Sequence, residues 1–478
     1  MMRKKGSVTV FLTLILSLLL SLICASIESV RMASARTQIL NGMDIGLYSL
    51  FGQYDKELLT DYDLFALDGS RGGGQLNLAA VCDELEAYMN PVLKQNSQKL
   101  TLCQSGLTGY RLLTDQKGEA FYQQIVGYMQ ETLGSQGIQL LLGRMSERQE
   151  KTAQADQSAN QAQSKGSIDR YDSEMNQASE KSQQAAEEAQ VVPQAPPAKN
   201  PITIMKRIMK RGVLELVLPG GNGLSTKEIE KGTLVSGRGL QQGLEMPDGM
   251  TTENGYTSEV LFQQYLMEHL GSYAEPSSAG LAYQMEYIFG GKDSDEDNLK
   301  AVASKLLFIR EGVNFACLMA DNVKRSEAQA LATAIASGFL VPPAAVIIEA
   351  ALILCWAFAE SVLDVRELFA VGRIPLVKSS GDWQISLGNL PDLMEGLDSM
   401  RRNDEKGMSY NDYLQVLVLT VSKEKKVMRA MDMIENTIRE KGRRNFCMDS
   451  CIVALEAFAD VKANKKKDFQ VIRQYCYE

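Results

Sequence analysis

Histidine is almost missing from this chain: His269 is the single one in 478 residues. A histidine-based triad or a histidine-ligated metal hydrolase has no second imidazole to draw on, and no G-x-S-x-G nucleophile elbow is present. His269 itself stands among Leu266, Met267 and Leu270 in a helical stretch, where packing accounts for it. Eight cysteines, at positions 24, 82, 103, 317, 355, 447, 451 and 476, include no C-x-x-C pair. Cys24 falls within an apolar run, leaving an odd seven and no disulfide framework, so they read as structural thiols. Phe289-Gly290-Gly291-Lys292 lacks the GxxxxGK[ST] spacing that lets backbone amides cradle phosphate. Asp293, Asp295 and Asp297 have the odd spacing of a calcium loop, but Asn298 stands where that loop needs glycine and Ser304 where it needs glutamate. A formal charge of −9 removes any general attraction for nucleic acid, leaving local basic runs such as Lys465-Lys466-Lys467. These gaps predict no enzyme, no catalytic, cofactor-binding or metal residue and no nucleic-acid partner. Spacing leaves open only serine–lysine or carboxylate-pair chemistry.

What is present begins with residues 8–27, VTVFLTLILSLLLSLICASI, which carry no charge. As a helix rising about 1.5 Å per residue they reach about 30 Å, the hydrocarbon thickness of a bilayer, where only a helix keeps the backbone paired. A single membrane span is predicted. Arg3, Lys4 and Lys5 precede it and Glu28, Arg31 and Arg36 follow, so the positive-inside rule keeps the N-terminus cytoplasmic and places the bulk of the chain outside, by a narrow margin. The competing reading is a cleaved secretory signal ending near Cys24-Ala25-Ser26, but signal cores stop at about 7–15 residues. Helical sequence continues here without a turn signal to Asn41-Gly42. The span therefore extends outward as a stalk, in which Val30, Ala33, Ala35, Ile39 and Met43 offer a mixed face to the exported part. Its expected partners are membrane lipid and, across Leu12, Leu16, Leu19 and Ile23, other apolar helices.

Lys4-Lys5-Gly6-Ser7 before an unbroken apolar helix resembles the type IV pilin leader, which a prepilin peptidase cuts after the glycine. That start, the Glu-Ser-x-Arg exit at residues 28–31 and the continuation YSLFGQYDKELLTDYDLFALDG resemble the TadE/TadG-like proteins of tight-adherence (Tad) pilus systems. They are still more similar to a Gram-positive, membrane-anchored family found beside such systems. LTDQKGEAFYQQI, YQMEYIFGGKDSDEDNL, WAFAESVLDVRELF and MRAMDMIENTI extend the likeness over most of the chain. The resemblance implies a minor-pilin-like or accessory component of a Tad-type surface apparatus, assembled by bundling N-terminal helices, with Gly6 and Ser7 as the processing site. One position departs from the pattern. Phe11 occupies the fifth mature position, where pilins carry glutamate, so cleavage is compatible with the resemblance but service as the major filament subunit is not.

The predicted fold class is α+β. It comprises an N-terminal transmembrane and stalk helix (1–50), a small α+β head (51–145), a polar helical-hairpin or coiled-coil-like linker (146–201) and a mostly helical exported domain (202–478) with C-terminal β-hairpins forming a small antiparallel sheet. In the head, strand-like YDLFALDG and KLTLCQ flank a helical LAAVCDELEAYMNPVL. In the linker Ile168, Tyr171, Met175, Ala178, Ser182, Ala185 and Ala189 alternate three and four apart, giving a thin heptad seam broken near Gly166, or else a disordered spacer, before the proline-rich joint VVPQAPPAKNP. Residues 202–250 read as irregular chain around a short basic helix, with Ser225 and Glu228 as a capping box. Helices are expected at 258–270, 278–289, 298–319, 410–421 and 423–441. Residues 328–359 are the second most apolar stretch. Pro342-Pro343 divides them and Glu349 sits within, so a buried helical hairpin is expected in preference to a membrane re-entry. RIPLVKSSGDWQISL and residues 451–477 each alternate about a turn, and the two hairpins are expected to pair, with Phe469, Val471, Arg473, Tyr475 and Tyr477 on one face.

Glu349, Trp356, Glu360, Asp364 and Glu367 fall within about 80° on a helix turning about 100° per residue, which aligns four carboxylates. Lys305, Arg310, Lys324, Arg325 or Arg366 is the expected neutralising partner, because buried charges persist mainly when paired. The rival reading is an anchored extracellular hydrolase with this stripe as its site.

Overall fold

The computed structural model describes residues 5–95, 100–165, 171, 173, 175–177, 180, 200–218, 223–244, 246, 255–338, 344–392, 407–463 and 467–477, and they are mostly helical with a small antiparallel sheet. The chain divides into two units interleaved in sequence, one of residues 1–128, 237–253 and 441–478, the other of residues 129–236 and 254–440. They are not four consecutive segments, because the C-terminal strands join the N-terminal helix.

In the first unit α1 (Lys5–Phe51) is one unbroken helix of 47 residues. Residues 8–31 are exposed on every side, whereas Ala35, Ile39, Met43, Leu47 and Leu50 recur three or four apart and are buried. Helix α2 (Lys56–Tyr62) starts on Asp55, whose carboxylate accepts from the Glu57 and Leu58 amides. After β1 (Leu67–Asp68), α3 (Leu78–Lys94) buries Val81, Leu85, Met89 and Leu93, every fourth residue, against α1. Glycine makes that approach close: a Cβ at Gly46 would stand 2.7 Å from Met89 Cγ. Strand β2 (Leu100–Leu112) pairs antiparallel with β3 (Cys451–Ala463), whose other edge takes β4 (Lys467–Cys476) and, at its start, β1. Val471 is buried and Phe469, Tyr475 and Tyr477 pack on the same core, the face that alternation assigned them. The expected sheet partner was wrong, since β3 pairs with β2 from the N-terminal part of the chain.

Helix α4 (Asp115–Lys165) is continuous. Residues 146–165 are thus helix and not loose spacer, as the first arm of the expected hairpin would be, while its turn and most of its second arm lie outside the described residues. Within the second unit this polar stretch buries Thr152, Ala155 and Ala159 and pairs Arg148 with Asp412 and Asp156 with Lys305, each at 2.7 Å. Of the heptad seam beyond it only Tyr171 and Met175 lie within the described residues; Ile168, Ala178, Ser182, Ala185, Ala189 and the break at Gly166 lie outside them.

The second unit continues with α5 (Pro201–Met209), α6 (Val213–Val217), α7 (Tyr256–His269), α8 (Gln284–Gly290), α9 (Asp295–Ala320), α10 (Asn322–Gly338), α11 (Ala345–Phe369), α12 (Tyr410–Leu419) and α13 (Lys423–Glu440). Helix α11 is its axis, packed against α5, α6, α9 and α10, and every residue from 351 to 369 is buried. It is long and apolar enough to cross a membrane, yet 78% of its most apolar window is covered by protein, as a buried helix requires. Pro342 and Pro343 lie outside the described residues.

Three local expectations fail, each because tertiary contacts hold the segment in another conformation. Ser225 starts no helix, since its hydroxyl donates to Asp295 at 2.5 Å and Glu228 forms an isolated bridge with Ser294. Helix α8 begins at Gln284 rather than 278 because the preceding chain turns through Gly280, at φ +67, against Asn436 and Thr437. RIPLVKSSGDWQISL forms no hairpin: one bridge joins Ile374 to Met408, residues 380–382 are a single 3-10 turn, and the Gln384 and Ile385 amides donate to Glu360.

The docking of α4 on α9 is tested at Gly312, where an added Cβ would stand 2.2 Å from Ala159 Cα. Helix propensity alone would make Gly312→Ala stabilising by about 1 kcal/mol. The backbone clash reverses the sign: urea unfolding of the detergent-solubilised chain is expected to show a loss of about 1–3 kcal/mol, with faster proteolysis within residues 146–165.

Candidate functional site

The carboxylate stripe does not act as one group. Its two ends are separate: Glu349 pairs with Arg325 at 3.2 Å, and Glu367 is buried beside Gly372. Its centre, Glu360 and Asp364, is 1% exposed and belongs to a network with Arg310 and Lys378, both 0% exposed at the side chain.

Asp364 accepts from Arg310 Nε at 3.0 Å and Nη2 at 2.8 Å and from Asn314 Nδ2 at 3.0 Å, and its second oxygen is 2.5 Å from Lys378 Nζ. Lys378 also donates to Glu360 at 2.6 Å. The remaining donors of Arg310 reach the Pro375 and Leu376 carbonyls and the Tyr413 hydroxyl. Both tryptophans border the cluster, with Trp356 Nε1 donating to the Ile385 carbonyl at 2.7 Å and Lys378 lying over the Trp383 ring. Two cations and two anions thus neutralise each other. Burial would raise the Asp364 carboxyl, but Lys378 and Arg310 outweigh it and hold it below its ordinary value.

Of the expected partners, Arg310 and Arg325 serve the stripe. Lys305 is taken by Asp156, Lys324 lies over the tryptophan rings, and Arg366 donates to the Leu216 carbonyl. Lys378 was missed, though alternation carried its signal: Ile374, Leu376 and Lys378 are buried while Val377 is exposed. Asp295 accepts from the Ala282 and Tyr283 amides and Ser294 caps α9, so the aspartate cluster organises a helix start. His269 stacks on Tyr265 and bonds its carbonyl at 3.0 Å. All eight cysteines are free thiols. Among the described residues no group of three or more His, Cys, Asp or Glu side chains is arranged to hold a metal ion.

Residues 193–463 match the model of a family of unknown function, DUF5702. The chain belongs to that family. No curated protein and no solved structure matches it. The DUF5702 match takes in the whole network and β3, and it excludes α1.

A second titratable group inside the DUF5702 region was not visible in the sequence. Glu286 is 0% exposed and accepts from the Tyr273 amide at 2.8 Å and the Tyr410 hydroxyl at 2.6 Å. Tyr273 in turn meets Tyr283, Phe369 and Tyr410 edge-on or tilted. Burial pushes the Glu286 carboxyl up to about 7, against the opposing effect of the two hydrogen bonds and with a contribution from Asp295. A carboxyl poised at neutral pH is a common acid–base device, but here it is enclosed by aromatic rings.

Two measurements follow. Arg310→Met leaves Asp364 under-compensated in the core and is expected to cost about 3–5 kcal/mol, whereas Arg325→Ala, at a half-exposed pair, is expected to cost about 1 kcal/mol or less by the same denaturant titration. For Glu286, the folded state holds a proton that the unfolded carboxyl, titrating near 4.3, has released. Stability therefore falls as pH rises from about 4.5 to about 7 and is level above that, a change on the order of 3 kcal/mol. Glu286→Gln is expected to remove that slope from the pH profile of the unfolding midpoint.

Proposed function

We propose that this chain is a membrane-anchored, extracellular structural protein, an accessory component of a Tad-type pilus or related surface apparatus, with its N-terminus cytoplasmic. The supporting observation is the division of α1. Leu12, Leu16, Leu19 and Ile23 are 48–64% exposed, in a stretch with no protein around it, while the same helix beyond Ala35 is the core of a helix-and-sheet unit. Thr13, Ser17, Ser21 and Ser26 close their hydroxyls on carbonyls three or four residues back, which leaves few polar groups for lipid to desolvate. The resemblance to pilin-like proteins implies assembly by bundling of apolar N-terminal helices, for which Leu12, Leu16, Leu19 and Ile23 supply the lateral face. Gly6 and Ser7 lie in the first turn of α1 and offer the small residues a prepilin peptidase requires. Residues 1–4 lie outside the described residues.

A structural role fits the neutral, buried balance of Glu360 and Asp364 better than a hydrolase does, because both carboxylates are already committed to cations.

Native cysteines provide the test. Cys24, Cys103 and Cys476 are all exposed on the protein. A membrane-impermeant maleimide applied to intact cells is expected to label Cys103 and Cys476 and to miss Cys24, which lipid covers. Labelling of Cys103 and Cys476 only after lysis overturns the topology. Replacing Leu12, Leu16, Leu19 and Ile23 together by alanine keeps the segment apolar but removes its lateral face; cross-links to pilin-like proteins are expected to disappear while the chain stays in the membrane fraction. Wild-type chain without such cross-links rules out the pilus assignment.

A further inference from the structure

Strand β4 runs alongside α1 in the direction away from the apolar segment. At its start, Lys467 Nζ lies 3.4 Å from Glu28 Oε1 and meets the Met32 sulfur. Further along, Arg473 pairs with Asp44 at 2.9 Å and the Tyr475 ring lies 4.7 Å from that of Phe51. Eight residues of strand cover about 26 Å, and residues 30–48 of the helix cover about 27 Å, so the two elements keep step. The start of β4 is therefore the end of the unit nearest the apolar run. Glu28 follows that run directly and Met32 is four residues on, which places Lys467 within about 8 Å of its last residue.

Other cations lie at or just beyond this level. Lys462 stands across from Asp468, with Nζ 3.7 Å from its carboxylate. Arg31 lies one turn before Ala35, on the face of α1 that buries Ala35 and Ile39, and Arg36 follows. All four cations are exposed, and Arg31 and Arg36 have no carboxylate partner among the described residues. Glu28 and Asp468 are the two acids beside them. The opposite end of the unit is different, because there Arg443 is shared by Asp55, Glu57 and Asp68, Lys441 pairs with Asp61, and Arg71 pairs with Glu84. In a chain of net charge −9, cations thus outnumber acids at the end of this unit where α1 leaves its apolar segment.

We infer that Arg31, Lys462 and Lys467 form a collar that binds the phosphodiester headgroups of anionic phospholipids in the leaflet from which α1 emerges. The inference rests on reading α1 as a membrane span. A headgroup layer is about 5–8 Å deep on each side of the hydrocarbon, so Lys467 and Arg31 reach it directly and Lys462 lies beside them. Glycerophosphate headgroups supply the opposite charge, and the uncharged stems of the long side chains suit an interface. Contact on α1 and, independently, on the hairpin of β3 and β4 would hold the unit at a fixed orientation to the bilayer.

Full-length protein in lipid nanodiscs provides the test, with the acylation rates of Lys462 and Lys467 read by mass spectrometry against that of Lys425 in the other unit. In discs of phosphatidylcholine with phosphatidylglycerol, both rates are expected to fall on the order of fivefold relative to discs of phosphatidylcholine alone. The difference should vanish in 1 M salt, where the Debye length is about 3 Å. Equal rates in the two discs, with the chain still incorporated, overturn the collar and leave the span standing. Protection by inorganic phosphate in phosphatidylcholine discs assigns the cations to a soluble anion and overturns the lipid. Failure to incorporate into either disc removes the span and the collar with it.

Discussion

One uninterrupted helix meets two surroundings, and the first unit is built on that constraint. Helix α1 has the same backbone throughout, so the change is carried by side chains: a mostly apolar run faces outward in every direction through residue 27, and past Ala35 a stripe of Ile39, Met43, Leu47 and Leu50 turns to the core. Asn41-Gly42, a turn signal in isolation, does not break the helix because Gly42 is where Leu93 of α3 lies against it. The propensity cost of a helical glycine is about 1 kcal/mol, comparable to burying little more than one methylene. Close packing of two helices over several residues outweighs it.

The second unit faces a different constraint, that charge carried into a core has to be cancelled there. Each ion removed from water costs several kcal/mol even after relaxation, and α11 brings in Glu360 and Asp364 together. Arg310 from α9 and Lys378 from the segment after α11 supply equal and opposite charge, and two backbone amides and Asn314 fill remaining lone pairs. This explains why residues 374–385 are irregular. Their carbonyls and amides are committed to Arg310 and Glu360, so no strand ladder is left for them to form. Glu286 meets the same constraint without a cation, by holding its proton up to about pH 7.

Much of the secondary structure was legible because its signals are local. The apolar run of α1, the helical pattern of α3 and the alternation through β4 all lie within one element. The carboxylate stripe was legible as a pattern, and Arg310 among its partners, because helical spacing fixes both. Partner choice was not legible. Lys305 and Arg310 are equally plausible by spacing on α9, and what separates them is that Asp156 of α4 lies beside the first. Lys378 was hidden for a related reason: its inward alternation was visible, but the face it points to is a helix and not a second strand. The pairing of β3 with β2 was out of reach, since no periodicity encodes which distant strand fills an edge.

That distant pairing bears on how the first unit comes to exist. About 340 residues separate Leu112 from Cys451, and since each doubling of a loop adds only about 0.6 kcal/mol, closing it costs about 3 kcal/mol more than closing a connection of ten residues. Burial of Ile452, Leu455, Ala457, Ala459 and Val461 is ample to offset that. The thermodynamic cost is small, but the order of events is constrained. Strand β3 is the middle strand, so until it is made β1 and β2 have nothing to pair with and the buried stripe of α1 has only α3 to cover it. On a chain made N-terminus first, α1 and the second unit are available before the sheet is. The unit beside the apolar segment is then the last to close, and it closes by laying β4 along the helix with which the chain began.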